Sequence, residues 1–317
     1  MNLANLLPRR IAATGFPRFG LRRRRDRKLQ VAAKVRRVAF MHVPKTSGVA
    51  IRSGLAAALT PNVTVSGFDR CSFDAYQDFE SVDPSISGMI YSSPASLPPR
   101  ADLIVGHFAF STLRQAYPDA QLLTLLREPC SRLLSHWLFW RQHTDAELAP
   151  WGCLAERVRK ARQPIAVFLN DPGLSCQTDN LMLRMLLWPH PLLPSGRFID
   201  PLHDARLLRQ AMANLQEFDF VDVVENGAVG DRLQSWLCRP FIYPRANETR
   251  PIPQQFRTPL DRELTPEVMD LLEFRSRLDF HLWAAIARLR FPGRDISKLR
   301  HQTIIKNVAR YGVLMAC

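Results

Sequence analysis

The sequence predicts an α/β fold in which a central parallel sheet is flanked by helices on both faces. Short, mostly apolar runs at 38–43, 102–107 and 121–127 predict buried strands. Helical patterns alternate with these runs, and such alternation is typical of a parallel sheet. With 317 residues, 46% of them hydrophobic, the chain is also large enough to bury a substantial core.

Each further element has its own signal. The segment 50–59, rich in alanine and leucine, predicts a helix that ends before Pro61. The third strand leads through Pro129 into a helix that runs to about His143, and 218–224 alternates acidic and apolar residues as a late strand would. Other helices are predicted over 175–188, 202–216, 228–238 and 266–290. Because the proline-rich stretches between them are short, we expect a single domain with a C-terminal helical part.

The charge is distributed unevenly along the chain. Of the formal net charge of +14, residues 1–37 carry +11, with twelve basic side chains and one acidic one. We therefore divide the chain into a basic arm (1–37), a domain (38–290) and a C-terminal extension (291–317). Such an arm is most often a solvated tail; the alternatives are a segment that binds RNA, DNA or anionic lipid, or an organelle transit peptide.

Several classes of protein are disfavoured by missing patterns. No apolar run approaches the roughly 18–20 residues of a membrane-spanning helix, and no secretory signal is recognisable at the N-terminus. The six cysteines form no CxxC pair and the eight histidines form no HExxH motif. We therefore expect reduced, mostly buried thiols and no metal.

The loop HVPKTSGVA at 42–50 has the layout of an anion site between a strand and a helix. Small residues let successive backbone N–H groups point to one place, beside the positive end of the helix dipole. Lys45 adds a charge, and Thr46 and Ser47, which precede Gly48, add hydroxyl donors. The GxxxxGK[ST] pattern of a Walker loop is absent. An ordinary turn with a surface lysine is the plainer alternative.

A second element with the same layout, LREPCSRLLSHW, covers 126–137. Arg127 lies at the strand tip, Pro129 suits the first helical turn, and Arg132 and Ser135 share a helix face. An arginine together with a serine is a good receptor for a phosphate group. A surface helix with Arg–Glu pairs is the alternative interpretation.

His107 ends the second predicted strand. Parallel strands would place it at the same sheet edge as the loops after Val43 and Arg127. A histidine there is suited to general base catalysis, since its pKa lies near neutrality. A purely structural histidine is the alternative.

The motifs HVPKTSGVAI and LLREPCSRLLSHW, about 80 residues apart, together resemble the two nucleotide-binding motifs of sulfotransferases that use 3′-phosphoadenosine 5′-phosphosulfate (PAPS). The similarity is greatest to the heparan sulfate 2-O-sulfotransferase-like group. It extends to VGHFAF and, more loosely, to QTDNLMLRMLL and LTPEVMDLLEFRSRLDFHLW, and so spans roughly 38–290. The resemblance implies a P-loop-like sheet.

The resemblance also implies roles for individual residues. The loop 45–49 would hold the 5′-phosphosulfate, with Lys45 stabilising the leaving phosphate. Arg127 and Ser135 would hold the 3′-phosphate, and His107, in the GH motif, would be the general base.

The chain departs from the family pattern at Val49 and Ala50, where the family usually has Thr or Ser. Two hydroxyl groups that would contact the phosphosulfate are therefore missing, while the backbone N–H groups stay. Weaker donor binding, or an inactive binding-only protein, are the alternatives that this departure leaves open. Arg184 and Arg250 are candidate contacts to donor or acceptor, or else solvated or salt-bridged arginines.

The resemblance thus implies transfer of a sulfuryl group from PAPS to a carbohydrate or glycolipid hydroxyl by in-line displacement, with the nucleotide PAP as product. The alternative is a protein that binds nucleic acid or an anionic membrane through residues 1–37, with an inactive body. A P-loop kinase is a weaker option. The 37 Arg and 6 Lys fit a GC-rich, bacterial genome. We expect a cytoplasmic enzyme whose arm contacts an anionic membrane rather than a specific nucleic acid.

Overall fold

A computed structural model of the chain describes residues 37–74, 76–243 and 250–316. Residues 1–36 of the predicted basic arm lie outside this range. Within it, the strands form one sheet in the order β3-β2-β4-β1-β5-β6, and every neighbouring pair is parallel. The strands are β1 (Val38–Met41), β2 (Thr64–Asp69), β3 (Ile90–Tyr91), β4 (Leu103–His107), β5 (Gln121–Leu126) and β6 (Phe220–Val223).

Helices fill most of the chain between and after the strands. The α-helices are α1 (Gly48–Leu59), α2 (Pro84–Ser87), α3 (Phe110–Ala116), α4 (Pro129–Arg141), α5 (Asp145–Leu148), α6 (Ala155–Arg159), α7 (Ile165–Asn170), α8 (Ser175–Thr178), α9 (Leu181–Leu187), α10 (Asp204–Leu215), α11 (Val229–Leu237), α12 (Leu260–Glu263), α13 (Pro266–Arg275), α14 (Arg277–Arg290) and α15 (Ile296–Met315). Among the described residues, no helix is both long enough and apolar enough to cross a bilayer.

The sheet is covered on both faces, and β1 shows why its sequence is continuously apolar. Side chains alternate between the two faces of a strand. Val38 and Phe40 pack with residues of α1 and α11, while Ala39 and Met41 pack with residues of α3, α9, α10 and α14. All four β1 side chains are fully buried. The predicted α/β class, with a parallel sheet between helices, is therefore confirmed.

The sequence located the central strands better than the edge of the sheet. The four predicted strands are present as β1, β4, β5 and β6. β2 was not predicted, because its sequence TVSGFD has only two large apolar side chains. The predicted helix 175–188 is interrupted at Asp179 and Asn180, and the predicted helix 266–290 is interrupted at Ser276.

The predicted C-terminal extension, 291–317, contains the long helix α15. Its side chains Val308, Tyr311 and Met315 are buried in a second hydrophobic core, formed with α4, α7, α12 and α13. α15 packs directly on α4, α12 and α14. This helical layer stands beside the carboxyl edge of the sheet and contributes to the site described next.

Candidate functional site

A cavity of about 620 Å³ lies at the carboxyl edge of the sheet. β4, β1 and β5 are neighbours, so the chain leaves these three strands side by side. Lys45, His107 and Arg127, which follow or end these strands, all line the cavity, as does Ser135 on α4. The structure thus brings together residues that the sequence selected in three separate segments.

The loop before α1 has an unusual backbone. Lys45 and Ser47 are both left-handed, with φ of 69° and 63°. Thr46, between them, is fully buried, and its Oγ1 donates a hydrogen bond to the Val43 carbonyl at 2.8 Å. The hydroxyl of Thr46 is therefore committed to the loop itself. Such alternation of backbone conformation forms concave groups of N–H donors that bind anions.

The first turn of α1 leaves its amides available beside the cavity. The Ser47 side chain does not cap the helix, and the first helical hydrogen bond runs from Ile51 N to Ser47 O at 3.1 Å. Gly48, Val49 and Ala50 line the cavity, and their N–H groups precede that bond. An anion bound there would meet these donors at the positive end of the helix.

Gly48 has a steric role. A Cβ atom at this position would lie 1.9 Å from the imidazole ring of His42. Burial, followed by the charges of His107 and Lys45, holds the pKa of His42 well below its usual value. A neutral imidazole therefore packs directly on the start of α1, and only glycine leaves space for it.

Lys45 is a cation in an environment that disfavours its charge. Burial, and then the neighbouring Arg127 and Arg310, lower the pKa of Lys45 to about 7. Its Nζ lies 3.8 Å from the ring centre of Phe139, and no carboxylate of the described residues forms an ion pair with it. A bound phosphate would supply the missing countercharge and would raise this pKa.

Arg127 is held in place from two sides. One guanidinium nitrogen donates to the Lys45 carbonyl at 3.1 Å. The other donates to Asn307 Oδ1 at 3.0 Å and to the Tyr311 hydroxyl at 3.1 Å. These two residues belong to α15, so the last helix fixes the arginine at the tip of β5.

Ser135 and its helix complete this side of the cavity. α4 begins at a buried Glu128, whose carboxylate accepts hydrogen bonds from Cys130 N at 3.2 Å and Ser131 N at 2.7 Å. Ser135 is 2% exposed and has no hydrogen-bond partner among the described residues. Its hydroxyl is therefore free to bind a ligand.

His107 has a defined tautomer. Its Nδ1 lies 2.6 Å from the carbonyl oxygen of His42. Because a carbonyl oxygen only accepts, Nδ1 carries the proton and Nε2 keeps its lone pair. Burial, opposed by that hydrogen bond and assisted by Lys45, lowers the pKa of His107 to about 4. The imidazole is neutral at pH 7 and can accept a proton at Nε2. The His107 ring packs against two other rings. The distance between ring centres is 4.5 Å to His42 and 5.2 Å to Phe68.

Two of the candidate arginines lie away from the cavity. Arg184 is 3% exposed, forms an ion pair with Asp179 at 3.0 Å and donates to three backbone carbonyls. Arg250 is exposed and pairs with Glu147 at 2.8 Å. The structure therefore places Arg184 in a buried structural network and Arg250 at the surface.

The structure adds cavity residues that the sequence reasoning missed. Arg310 and Tyr311 of α15 line the cavity, and so does Tyr243 after α11. A signal was present in the sequence of α15, since residues 296–315 contain basic side chains and no acidic ones. His136 also lines the cavity; it is 3% exposed, and neither ring nitrogen has a hydrogen-bond partner.

Together, the fold and the site define an α/β protein with a cavity at the carboxyl edge of its sheet, lined by cationic side chains and by the first turn of α1. Among the described residues, no group of three or more His, Cys, Asp or Glu side chains has an arrangement that could hold a metal ion. The chain matches no model of a known protein family, and a search of curated proteins found no match either.

Proposed function

We propose that the protein is a sulfotransferase that transfers the sulfuryl group of PAPS to a hydroxyl group. The observation that carries the proposal is the meeting of Lys45, His107 and Arg127 around one cavity, with His107 Nε2 ready to accept a proton. The cavity volume of about 620 Å³ lies within the usual range for small-molecule sites.

The charges around the cavity support a donor with phosphate groups. Three of its described lining residues, Lys45, Arg127 and Arg310, are cations whose charges act on one another at Lys45, whereas none of the described lining residues is Asp or Glu. The amides of the first α1 turn and Lys45 would hold the phosphosulfate, and Arg127 with Ser135 would hold the 3′-phosphate. The free hydroxyl of Ser135 and the uncompensated charge of Lys45 both fit this assignment.

The proposed reaction is a single in-line displacement. His107 Nε2 takes the proton of the acceptor hydroxyl, whose oxygen forms a bond to sulfur. The bond between sulfur and the phosphate oxygen breaks at the same time, and Lys45 stabilises the charge on the departing oxygen. The products are a sulfate ester and PAP, and the proton stays on His107. The resemblance of the motifs favours a hydroxyl of a carbohydrate or glycolipid as the acceptor.

Isothermal titration calorimetry with PAP tests the donor assignment. We expect the wild type to bind PAP, and Lys45→Ala and Arg127→Ala each to weaken binding by about tenfold or more, because each removes a charged hydrogen bond. Lys160→Ala and Arg206→Ala, outside the cavity, are the matched controls and should leave the affinity unchanged. Failure of the wild type to bind PAP would refute the assignment.

The charge of residues 1–37 supports a separate proposal about location. We propose a cytoplasmic protein whose arm binds an anionic membrane surface by electrostatic attraction. Arg37 forms an ion pair with Asp119 at 2.7 Å, so the deletion that tests the arm should stop at residue 36. Binding to vesicles containing phosphatidylserine should weaken with salt and disappear on deletion. Binding of the arm to RNA but not to vesicles would instead favour the nucleic-acid alternative.

A further inference from the structure

The cavity continues beyond His107 into an apolar end. Four side chains, which we call the apolar wall, pack together there: Phe68, Phe73, Trp151 and Leu154. Leu148 and Val158, on the helices that flank Trp151 and Leu154 in the chain, also line the cavity. Phe68 lies between the His107 ring, 5.2 Å away, and the rings of Phe73 and Trp151, at 5.9 and 6.1 Å between centres. The apolar surface therefore begins directly beside the candidate base.

The apolar wall lies on the opposite side of His107 from the anion-binding groups. In the sheet, β5 with Arg127 and β1 with its loop are neighbours, followed by β4 with His107 and then β2 with Phe68. β5, which Arg127 follows, and β2, which contains Phe68, are therefore separated by three inter-strand spacings of about 4.8 Å each. An in-line displacement needs the acceptor on the side of sulfur opposite the leaving phosphate. The apolar wall occupies the position in which the body of the acceptor would lie.

Polar groups at this end are already engaged with the backbone. Gln177 Nε2 donates to the Ser72 carbonyl at 2.7 Å, and Ser72 Oγ donates to the His107 carbonyl at 3.2 Å. Arg157 donates to the carbonyls of Phe73 at 2.6 Å and Gly173 at 3.0 Å. None of the described lining residues is Asp, Glu or Asn.

A sugar ring would meet few partners in such a site. Its several hydroxyl groups would lose hydrogen bonds to water without replacement, which is unfavourable. An aromatic or aliphatic skeleton, by contrast, gains by leaving water and packs well against aromatic rings. The apolar wall therefore selects against the carbohydrate acceptor that the motif resemblance favours.

We propose that the acceptor is an alcohol or phenol whose hydroxyl is attached to an apolar skeleton, held by the apolar wall with its oxygen at His107 Nε2. The transfer to this acceptor rests on the sulfotransferase function proposed above. The binding of an apolar alcohol does not, because it depends on the apolar wall alone.

Calorimetry with 2-naphthol as the probe, on the full chain saturated with PAP, tests the proposal. We expect 2-naphthol to bind and N-acetylglucosamine to bind at least tenfold more weakly. Val158→Asp should weaken 2-naphthol binding about tenfold or more, since it places a carboxylate against the apolar skeleton. Val167→Asp, at a 55% exposed position on α7, is the matched control and should leave it unchanged.

Two further measurements make the result interpretable. A PAP affinity within twofold of the wild type shows that a variant is folded. If Val158→Asp does not fold, Trp151→Ala, which adds no charge, replaces it as the test variant. With PAPS as donor, kcat/KM should be at least tenfold higher for 2-naphthol than for the sugar.

The outcomes separate this inference from the proposed function. Competition between 2-naphthol and PAP would assign the apolar wall to the nucleotide base and overturn the inference. Preference for the sugar, or no binding of 2-naphthol to a protein that binds PAP, would overturn it while leaving the donor assignment intact. Binding of 2-naphthol that is weakened by Val158→Asp, in a protein that does not bind PAP, would refute the sulfotransferase but support the apolar site.

Discussion

At the residue scale, one hydrogen bond defines the chemistry available to His107. The His42 carbonyl fixes the proton on Nδ1, and burial keeps the ring neutral at pH 7. A neutral imidazole with a free Nε2 is the state that a general base requires before the reaction. The backbone of His42, the residue directly after β1, therefore orients His107 at the end of β4.

His107→Ala should greatly reduce turnover without preventing nucleotide binding. General base catalysis contributes roughly 10²- to 10⁴-fold to a rate, so sulfate transfer from PAPS should fall by that factor. PAP affinity should stay within about twofold, because His107 is not among the proposed phosphate ligands. His203→Ala, outside the cavity, is the control. Unchanged turnover in His107→Ala would remove this residue from its proposed role.

The lowered pKa of Lys45 gives a pH dependence with a definite sign. PAP favours the protonated amine, so binding should take up protons near pH 7 and weaken as the pH rises above about 7. Calorimetry between pH 6 and 9 in buffers with different ionisation enthalpies measures both effects. Lys45→Arg, which stays charged, should flatten the dependence. An equally steep decline in that variant would show that another group is responsible.

The cavity residues differ in how far the sequence could predict them. Lys45, His107 and Arg127 could be predicted from the sequence, because parallel strands place their carboxyl ends at one edge of the sheet. Arg184 has the same charge and stands in a helix with an apolar pattern, but only the fold shows its buried pairing with Asp179. Burial and partner choice over long sequence distances leave no local pattern.

At the scale of elements, α15 contributes to the site by holding Arg127. Arg127 donates hydrogen bonds to Asn307 and Tyr311, which lie more than 170 positions further along the chain. No periodicity in the sequence indicates such a contact. The same limitation explains why β2 was missed and why the breaks at Asn180 and Ser276 were not anticipated.

Tyr311→Phe and Asn307→Ala should each weaken PAP binding by about three- to tenfold. Each change removes one hydrogen-bond acceptor from Arg127, and a hydrogen bond of this kind is worth about 0.5–1.5 kcal/mol. Val313→Ala, at a 76% exposed position on the same helix, is the control and should have no effect. Wild-type affinity in both variants would show that α15 does not position the arginine.

The start of α1 should not tolerate a side chain at Gly48. Gly48→Ala should reduce the free energy of unfolding by about 1–3 kcal/mol, because its Cβ overlaps the His42 ring. Gly227→Ala, where a Cβ meets nothing within 4 Å, should be nearly neutral. Urea unfolding measures both. Adding His42→Ala should recover part of the loss, and purely additive effects would contradict the steric explanation.

At the scale of the whole molecule, three of the histidines that line the cavity make the free energy of unfolding depend on pH. Burial lowers the pKa values of His42, His107 and His136, in the case of His107 to about 4. The unfolded chain therefore binds more protons than the folded one below about pH 6.5. Their contribution to stability is fully present above that pH and is lost as the pH falls towards 4. Asp279, whose pKa burial raises to about 6, acts in the opposite direction.

His136→Phe isolates the histidine contribution. The ring has no hydrogen-bond partner, so the free energy of unfolding should change little at pH 7.5. Between pH 6.5 and 4.5 the variant should lose less stability than the wild type, by about 1 kcal/mol or more. Urea titrations at several pH values measure the difference. His203→Phe is the control, and parallel curves for wild type and His136→Phe would rule out the mechanism.

The contact between Arg127 and Tyr311 also has a consequence for biosynthesis. The two residues are 184 positions apart. At synthesis rates of about 5–20 residues per second, the second is made roughly 10–40 seconds after the first. The sheet edge can form during this interval, but Arg127 has neither Tyr311 nor Asn307 to hold it. The proposed nucleotide site therefore matures late, and a nascent chain that already contains all six strands is expected to bind PAP weakly until α15 docks.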